Sequence, residues 1–417
     1  MGLNPYLERN RFLSRQISST PASDLSLVVV IPSHDEPDLI GSLTSLSDCT
    51  LPEGSVEVIV VINASEADDP LLKERNLASL NQAQSWAKDH QKEGLAYHFI
   101  LQNELPRKHA GVGLARKIGM DEAVDRLDQV DNPEGVIVCF DADSRCESNY
   151  FQVLETAFDQ HPKWGGASIH FEHPLQGGAF PSDIYDAITA YELHLRYHLN
   201  GLRYADHPQA YHTIGSSMAV RSTTYQKEGG MNRRKAGEDF YFLQKIIQAS
   251  PFGEITDTQV IPSPRGSHRV PFGTGKAVND TLNSGQVAST YPWQAYEDLK
   301  GVLQSVILEY RNHGGFKEAF MNHQPESIQA FLKSTDYEQR KADWLRHGTS
   351  ELTFSKRFFS WFNAFRAMKY VHFARDHYYG EQSLEEALPH LMGVLKYKGA
   401  NQFSEWLLYL RKLDRNR

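Results

Sequence analysis

Cysteine is scarce in this chain of 417 residues. There are three, Cys49, Cys139 and Cys146, and their spacing does not match that of a metal-binding cysteine motif. An odd and sparse set is typical of reduced thiols, and it excludes the disulfide framework of a small secreted domain. We therefore expect free thiols in a cytoplasmic protein.

Long apolar runs are also missing. No run approaches the roughly 20 residues of a membrane-spanning helix. The first residues, MGLNPYLERNRFLSRQ, carry charges where a signal peptide has its apolar core, and Tyr6 stands where a myristoylation site has Ser or Thr. The net charge of -9 argues against a protein whose main task is to bind nucleic acid. These absences favour a cytoplasmic protein with no nucleic-acid partner.

The first part of the chain alternates strand and helix patterns. The apolar runs LSLVVVIP, VEVIVVIN and GVIVCF are typical of strands buried on both faces, and helical patterns separate them. This alternation predicts an α/β fold with a mostly parallel, doubly wound sheet.

From about residue 285 the patterns are helical and rich in aromatic residues. A chain of this length also exceeds one ordinary hydrophobic core. We predict an N-terminal extension over residues 1–24, an α/β domain over 25–280 and an all-helical C-terminal region over 281–417.

Polar side chains follow three of the predicted strands, at Pro32–Glu36, Asn63–Ser65 and Asp141–Asp143. In an open parallel sheet the ligand crevice lies beyond the carboxyl ends of the strands, so these segments are expected to meet at one edge. Asp141 and Asp143 are one residue apart, so both carboxylates can approach one Mg²⁺ or Mn²⁺ ion. An acidic, solvated turn is the alternative interpretation.

A second acidic pair, Glu238 and Asp239, opens a predicted helix in the segment GEDFYFLQKI. Carboxylates at this place can cap the helix and interact favourably with its dipole. Near a bound cation, such a carboxylate can also take the proton of an acceptor hydroxyl. The two roles are compatible.

A glycine-containing basic segment, KHAGVGLARKIGMDEA, precedes and opens another helix. Lys108, Gly113 and Arg116 in this segment are candidates for binding an anion, because glycine permits close backbone approach and a helix start favours negative charge. A solvated basic face is the alternative for Lys108 and Arg116. The segment does not follow the first strand and lacks the third glycine of the dinucleotide fingerprint, which argues against an NAD site.

The loop SPRGSHRVPFGTGKA carries a further group of basic residues, Arg265, His268, Arg269 and Lys276. We interpret it as a flexible lid over phosphates, with His268 as a third metal ligand. Ordinary exposed surface is the alternative.

Taken in order, VVVIPSHDEPDLI, VVINAS, HAGVGLARKIGMDEA, FDADSRCESNYF and GSSMAVRSTTYQKEGGMNRRKAGEDFYF resemble segments of the family 2-like glycosyltransferases of the GT-A fold. They cover about residues 26 to 250. The resemblance implies an enzyme that moves a sugar from a nucleoside-diphosphate donor to an acceptor hydroxyl, with a divalent metal ion.

The resemblance also implies roles for individual residues. Asp239 is implied as the base of an inverting transfer, with Glu238 as its neighbour, although a retaining outcome stays open. Asp141 and Asp143 are implied to bind ribose and the metal–diphosphate group. The base and ribose contacts fall on residues at the first two strand ends, namely Pro32, Ser33, Glu36 and Asn63; family members often carry an acidic residue near the last of these.

The C-terminal region contains an aromatic segment with Phe358, Phe359, Trp361, Phe362 and Phe365. We expect these side chains to pack as a core. An acceptor platform or a lipid-facing surface is the alternative, since neighbouring basic residues, Lys356, Arg357, Arg366 and Lys369, would favour peripheral contact with an anionic membrane.

Two other functions stay open. A sugar-phosphate nucleotidyltransferase would share the sheet and the metal aspartates, but it usually has a basic, glycine-rich loop after the first strand, where this chain has PSHDEPDLIG. A non-catalytic protein that binds nucleotide sugars would share the whole scaffold.

Overall fold

The computed structural model describes residues 4–267, 273–284, 288–313, 320–347 and 350–417. Two compact units are present. The first comprises Met1–Phe180, Thr213–Lys276 and Arg411–Arg417, and the second comprises Pro181–His212 and Ala277–Leu410. The predicted boundaries near residues 25 and 281 stay predictions.

The first unit is built on one sheet of eight strands. The strands are β1 Leu25–Ser33, β2 Ser55–Ser65, β3 Leu95–Leu105, β4 Val136–Cys139, β5 Arg145–Cys146, β6 Gly166–Phe171, β7 Met218–Arg221 and β8 Phe252–Ile261. Their order in the sheet is β3-β2-β1-β4-β7-β6-β8-β5. Four pairings are parallel, namely β1–β2, β2–β3, β1–β4 and β6–β8. Three are antiparallel, namely β4–β7, β6–β7 and β5–β8. The predicted α/β architecture with a mostly parallel sheet is therefore confirmed.

The α-helices of the described residues follow in chain order. They are α1 Pro5–Asn10, α2 Leu39–Ser47, α3 Pro70–Asp89, α4 Val112–Gln129, α5 Tyr150–Gln160, α6 Ser182–Tyr204, α7 Ser222–Lys227, α8 Glu238–Ala249, α9 Thr274–Ser284, α10 Trp293–His313, α11 Glu326–Lys333, α12 Tyr337–His347, α13 Glu351–Trp361, α14 Ala364–Ala374, α15 Leu384–Val394 and α16 Phe403–Arg415. A π-helical turn, Arg375–Tyr379, follows α14, and the short strands β9 Ser289–Thr290 and β10 Gln382–Ser383 pair antiparallel in the second unit. The helices predicted for the C-terminal region are confirmed, but the region is not all-helical as predicted, because it contains this short strand pair.

The burial of the strands at the centre of the sheet follows from their apolar sequences. Strand β2 is buried along its whole length, as expected for a parallel strand with both faces covered. Helix α3 begins at Pro70, and the Asp69 carboxylate caps it by accepting the Leu71 N–H at 2.8 Å. Strand β8 is absent from the predicted elements, because its sequence FGEITDTQVI has neither a continuous apolar run nor a strict alternation of apolar and polar residues.

The N-terminal residues pack on helix α4 in the first unit. The Tyr6 hydroxyl donates a hydrogen bond of 2.8 Å to the carboxylate of Asp121. Arg11 and Arg15 pair with Asp125 at 2.8 and 2.6 Å. Because buried carboxylates are costly without partners, this contact explains how α4 can bury acidic side chains. The segment predicted as an extension thus completes the surroundings of α4.

Aromatic side chains form much of the second unit's interior. Phe358, Trp361 and Phe362 are buried, which confirms the predicted core, whereas Phe359 and Phe365 are partly buried. Among the helices within the described ranges, none combines the length and the apolar character needed to cross a membrane. Contact of the basic residues with a membrane surface stays a prediction.

Neutral histidines lie among these aromatic side chains. His198 on α6 contacts the Tyr296 hydroxyl through Nδ1 at 2.7 Å, and His207 is buried with Nε2 3.0 Å from the Phe362 carbonyl. Desolvation, followed by the charge of neighbouring histidines, lowers the pKa of His198 to about 3. Desolvation also lowers the pKa of His207 to about 4. Both imidazoles are therefore neutral in the folded protein near pH 7.

We predict that acid destabilises the second unit. Each lowered pKa means that the unfolded chain binds the proton more readily, so stability is complete above pH 6.5 and falls as the pH drops below it. At pH 5 the loss is roughly 2 kcal/mol for each of the two histidines. Urea unfolding of wild type and His198→Gln at pH 7.5 and pH 5 measures the effect. The variant should lose less stability between the two pH values; equal losses would contradict the assignment.

Candidate functional site

The carboxyl ends of three parallel strands define one edge of the first unit's sheet. Strand β1 lies between β2 and β4 and is parallel to both, so the chain leaves all three at the same edge. Glu36, Asn63, Asp141 and Asp143 follow or end these strands. The structure therefore brings together residues that are more than a hundred positions apart.

Arg116 is the centre of the first charged cluster. It lies near the start of α4, and its side chain is only 4% exposed. Its guanidinium donates to Glu238 through Nη1 and to Asp141 through Nη2, the latter at 2.5 Å. This single side chain joins the starts of α4 and α8 to the segment that follows β4.

Two glycines make this arrangement sterically possible. A Cβ atom on Gly215 would lie 2.5 Å from Nη1 of Arg116. A Cβ atom on Gly113 would lie 2.3 Å from the carbonyl oxygen of Arg234, in the loop before α8. Gly113 was predicted to admit an anion, whereas in the structure its bare Cα accommodates this loop. Gly215 was missed, since nothing in its local sequence shows which side chain approaches it.

Glu238 and Asp239 differ in their partners. Glu238 is 2% exposed, and burial together with the Asp239 charge raises its pKa to about 7, against the opposing effect of Arg116. The pKa of Asp239 is also raised, mainly by desolvation, although Arg116 and backbone N–H groups oppose the shift. Asp239 accepts the Phe240 N–H at 2.7 Å and a backbone hydrogen bond from Gly215. Within the described part of the chain, Asp239 forms no ion pair.

This difference assigns different chemistry to the two carboxylates. Glu238 is compensated by a buried guanidinium, whereas Asp239 is held only by backbone donors and is partly exposed. A carboxylate with a raised pKa that is not tied to a cation can take a proton from a substrate hydroxyl. The geometry therefore favours Asp239 over Glu238 as the base.

Arg265 is the centre of a second charged cluster. Its Nη2 atom donates to Glu36 and also lies 3.2 Å from Oδ2 of Asp143. The Glu36 side chain is 1% exposed, whereas that of Asp143 is 26% exposed. His268 and Arg269, predicted as a metal ligand and a phosphate contact, lie outside the described residues; Lys276 lies in α9.

The two carboxylates around Arg265 fit a divalent cation. Glu36 and Asp143 converge on one positively charged group, and hard divalent ions are commonly held by one or two carboxylates together with substrate oxygens. Among the residues that the structure describes, no group of three or more His, Cys, Asp or Glu side chains is arranged to hold a metal ion. Substrate oxygens would therefore have to complete the coordination.

The remaining predicted contacts lie at the ends of β1 and β2. Ser33 is buried at the end of β1, and its hydroxyl oxygen has no hydrogen-bond partner among the described atoms. Pro32 precedes it in the same strand. The carbonyl of Asn63 accepts from Asn76 Nδ2 at 3.1 Å and lies 2.8 Å from His34 Nδ1. Asn63 thus fixes the loop after β1 through its main chain.

A basic segment beside Glu238 was missed as a functional feature. Lys108 was predicted to bind an anion and is exposed. Arg233, Arg234 and Lys235 are also exposed, in the loop directly before α8. The signal was present in the sequence, since NRRKAG immediately precedes the acidic pair.

Comparison with known proteins gives only distant likenesses. No protein-family model matches the chain, and no curated protein matches it. Residues 1–349 of TarS from S. aureus, solved with UDP-GlcNAc, superpose with a TM-score of 0.40 at 13% identity, over 82% of this chain and 92% of that one. The mannosyltransferase PcManGT from Pyrobaculum calidifontis, solved with GDP-Man and Mn²⁺, gives a TM-score of 0.36 at 14% identity, over 98% and 91% of the two chains.

We predict that Arg116→Met destabilises the first unit by about 3–5 kcal/mol, because it leaves the buried Glu238 carboxylate without a cation. The double variant Arg116→Met/Glu238→Met should recover most of this loss, since it removes the buried charge as well. Urea unfolding measures both.

Arg145→Met is the matched control. Arg145 pairs with Asp38 at 2.5 Å, but the two side chains are 36% and 54% exposed. Loss of an exposed pair costs at most about 1 kcal/mol. If Arg116→Met lowers the free energy of unfolding by no more than the control does, the Arg116–Glu238 pair does not fix the start of α8.

Proposed function

We propose that this protein is a GT-A glycosyltransferase that moves a sugar from a nucleoside-diphosphate donor to an acceptor hydroxyl, with inversion at the anomeric carbon. One observation carries the proposal. Asp141 is tied through Arg116 to Glu238, so the acidic segment after β4 and the acidic pair of α8 belong to the same site. A site for the donor and a base for the acceptor therefore stand next to each other.

The donor's diphosphate belongs beside Asp143. Asp143 and Glu36 would hold a Mn²⁺ or Mg²⁺ ion, and this ion supplies Lewis-acid stabilisation of the leaving diphosphate when it is bound. Arg265 lies between these carboxylates and can transfer its interaction to phosphate oxygens, for which a guanidinium is well suited. Arg269 is a further candidate for contact with the diphosphate.

The base and ribose of the donor belong at the ends of β1 and β2. Ser33 offers a buried hydroxyl without a protein partner, which a polar group of the donor could satisfy. Pro32, Asn63 and Asp141 would line the same part of the site. With the donor placed in this way, Asp239 would face the acceptor.

Asp239 takes the proton in the transfer step. The acceptor oxygen forms a bond to the anomeric carbon while its proton passes to the Asp239 carboxylate. The bond from that carbon to the diphosphate breaks, and the diphosphate leaves with the electron pair. Glu238 stays paired with Arg116, so Arg116 is a positioning residue that keeps the start of α8 against the donor site.

Nucleotide binding tests the donor site. In a thermal-shift screen of UDP, GDP, ADP and CDP with Mn²⁺, at least one nucleotide should raise the Tm of the wild type, and the shift should require the metal. Asp143→Ala should abolish it, because a metal-binding carboxylate is lost. Asp159→Asn changes an exposed carboxylate of α5 and is the matched control, which should behave as wild type. Equal shifts in Asp143→Ala and wild type would refute the assignment of Asp143.

Turnover tests the base. Asp239→Asn should keep the nucleotide-dependent Tm shift, but hydrolysis of the corresponding sugar nucleotide should fall roughly 10²- to 10⁴-fold, the usual contribution of a general base. Water takes the place of the acceptor in this assay, so no acceptor has to be known. Unchanged hydrolysis in Asp239→Asn would remove Asp239 from the mechanism.

We predict that the acid limb in the rate of sugar-nucleotide hydrolysis lies at a higher pH than an ordinary aspartate would give. The pKa of Asp239 is raised, mainly by desolvation, so Asp239 takes up its proton earlier as the pH falls and the base is lost. An exposed aspartate would lose activity only near pH 4. Glu238→Gln removes the neighbouring negative charge and should move the limb to lower pH. An acid limb near pH 4 in the wild type would contradict the raised pKa of Asp239.

A further inference from the structure

Four exposed cations form a basic patch on two neighbouring segments of the first unit. Lys108 lies in the turn before α4, and Arg233, Arg234 and Lys235 lie in the loop before α8. Within the described residues, none of the four pairs with a carboxylate. The chain has 52 acidic residues against 43 Lys and Arg, so acidic partners are plentiful elsewhere. An unpaired cluster in such a protein suggests an anionic ligand.

The two segments touch through their backbones. A Cβ atom on Gly111 would lie 3.1 Å from the Cα atom of Lys235. The pKa of His109 is lowered, first by desolvation and then by the charges of Arg233, Lys108 and Lys235. Three cations thus act on one imidazole, and their mutual repulsion would be relieved by a multiply charged anion.

The patch is fixed to the start of α8. Asn232 donates through Nδ2 to the carbonyl of Glu238 at 2.8 Å and accepts the Arg234 N–H at 3.1 Å. The Arg234 guanidinium lies 3.9 Å from the centre of the Tyr241 ring, which orients it by a cation–π interaction. These contacts therefore hold the loop with Arg234 against α8, the helix that carries Asp239.

We propose that the basic patch binds a phosphate group of the acceptor, held by Lys108, Arg233 and Lys235 while an acceptor hydroxyl faces Asp239. This inference rests on the proposed function for the role of Asp239. A phosphate suits the patch better than a carboxylate, because it carries more charge and offers oxygens to several cations at once. The donor's own diphosphate is the other source of the same chemistry, and the experiment below separates the two.

Binding of inorganic polyphosphate, measured by calorimetry in the presence of EDTA, probes the patch without an identified acceptor. The wild type should bind, and affinity should fall steeply as NaCl is raised, because exposed charges are screened. Arg233→Glu/Lys235→Glu should bind at least tenfold more weakly. Lys163→Glu/Lys227→Glu makes the same charge change at exposed lysines of the same unit and should bind as wild type.

A parallel measurement with Mn²⁺ and the most stabilising nucleoside diphosphate identifies the source of the phosphate. The Arg233→Glu/Lys235→Glu variant should keep wild-type nucleotide affinity within twofold. A tenfold loss there would assign the patch to the donor and overturn the proposal, as would equal polyphosphate binding by all three proteins.

If the double variant has a lowered Tm, Arg233→Gln/Lys235→Gln, which only removes charge, replaces it with the same expected losses. Failure of wild type to bind any nucleotide would count against the donor site, whereas failure to bind polyphosphate would count against the patch alone.

Discussion

The site depends on the ion pairs that the buried guanidinium of Arg116 makes with Glu238 and Asp141. The guanidinium compensates Glu238 and contacts Asp141, and so fixes the starts of two helices against the segment that follows β4. A buried ion pair contributes little net stability, because desolvation offsets the attraction, but removal of one partner is costly. The main effect of the Arg116–Glu238 pair is therefore to position the start of α8 against α4. Asp239, next to Glu238 in the chain, cannot move away from the acidic segment without breaking it.

Each of two arginines pairs with two carboxylates of the site. Arg116 contacts Glu238 and Asp141, while Arg265 contacts Glu36 and Asp143. Asp239 is left with backbone donors. In the proposed reaction, this division would separate binding of a charged diphosphate from removal of a proton. Different surroundings are the usual means by which neighbouring carboxylates acquire different roles.

Much of this architecture could be predicted from local pattern, whereas the charge pairing could not. The uninterrupted apolar runs of β1, β2 and β4 predict buried parallel strands, and the strand-end rule then brings Asp141 and Asp143 to one edge. The Arg116–Glu238 pair joins residues 122 positions apart, and it depends on how α4 and α8 pack. Position 215 likewise requires glycine because the Arg116 side chain lies against it, and this contact forms only in the folded chain.

On the proposed function, the acidic segment after β4 binds a metal–diphosphate group on the same side of the sheet as Asp239. A crystal structure with Mn²⁺ and the bound nucleoside diphosphate, with the metal located by anomalous diffraction, would show where both bind. We expect a manganese peak within coordination distance of Asp143, with the diphosphate between it and α8. A manganese ion bound elsewhere, or a nucleotide on a different face of the sheet, would contradict it.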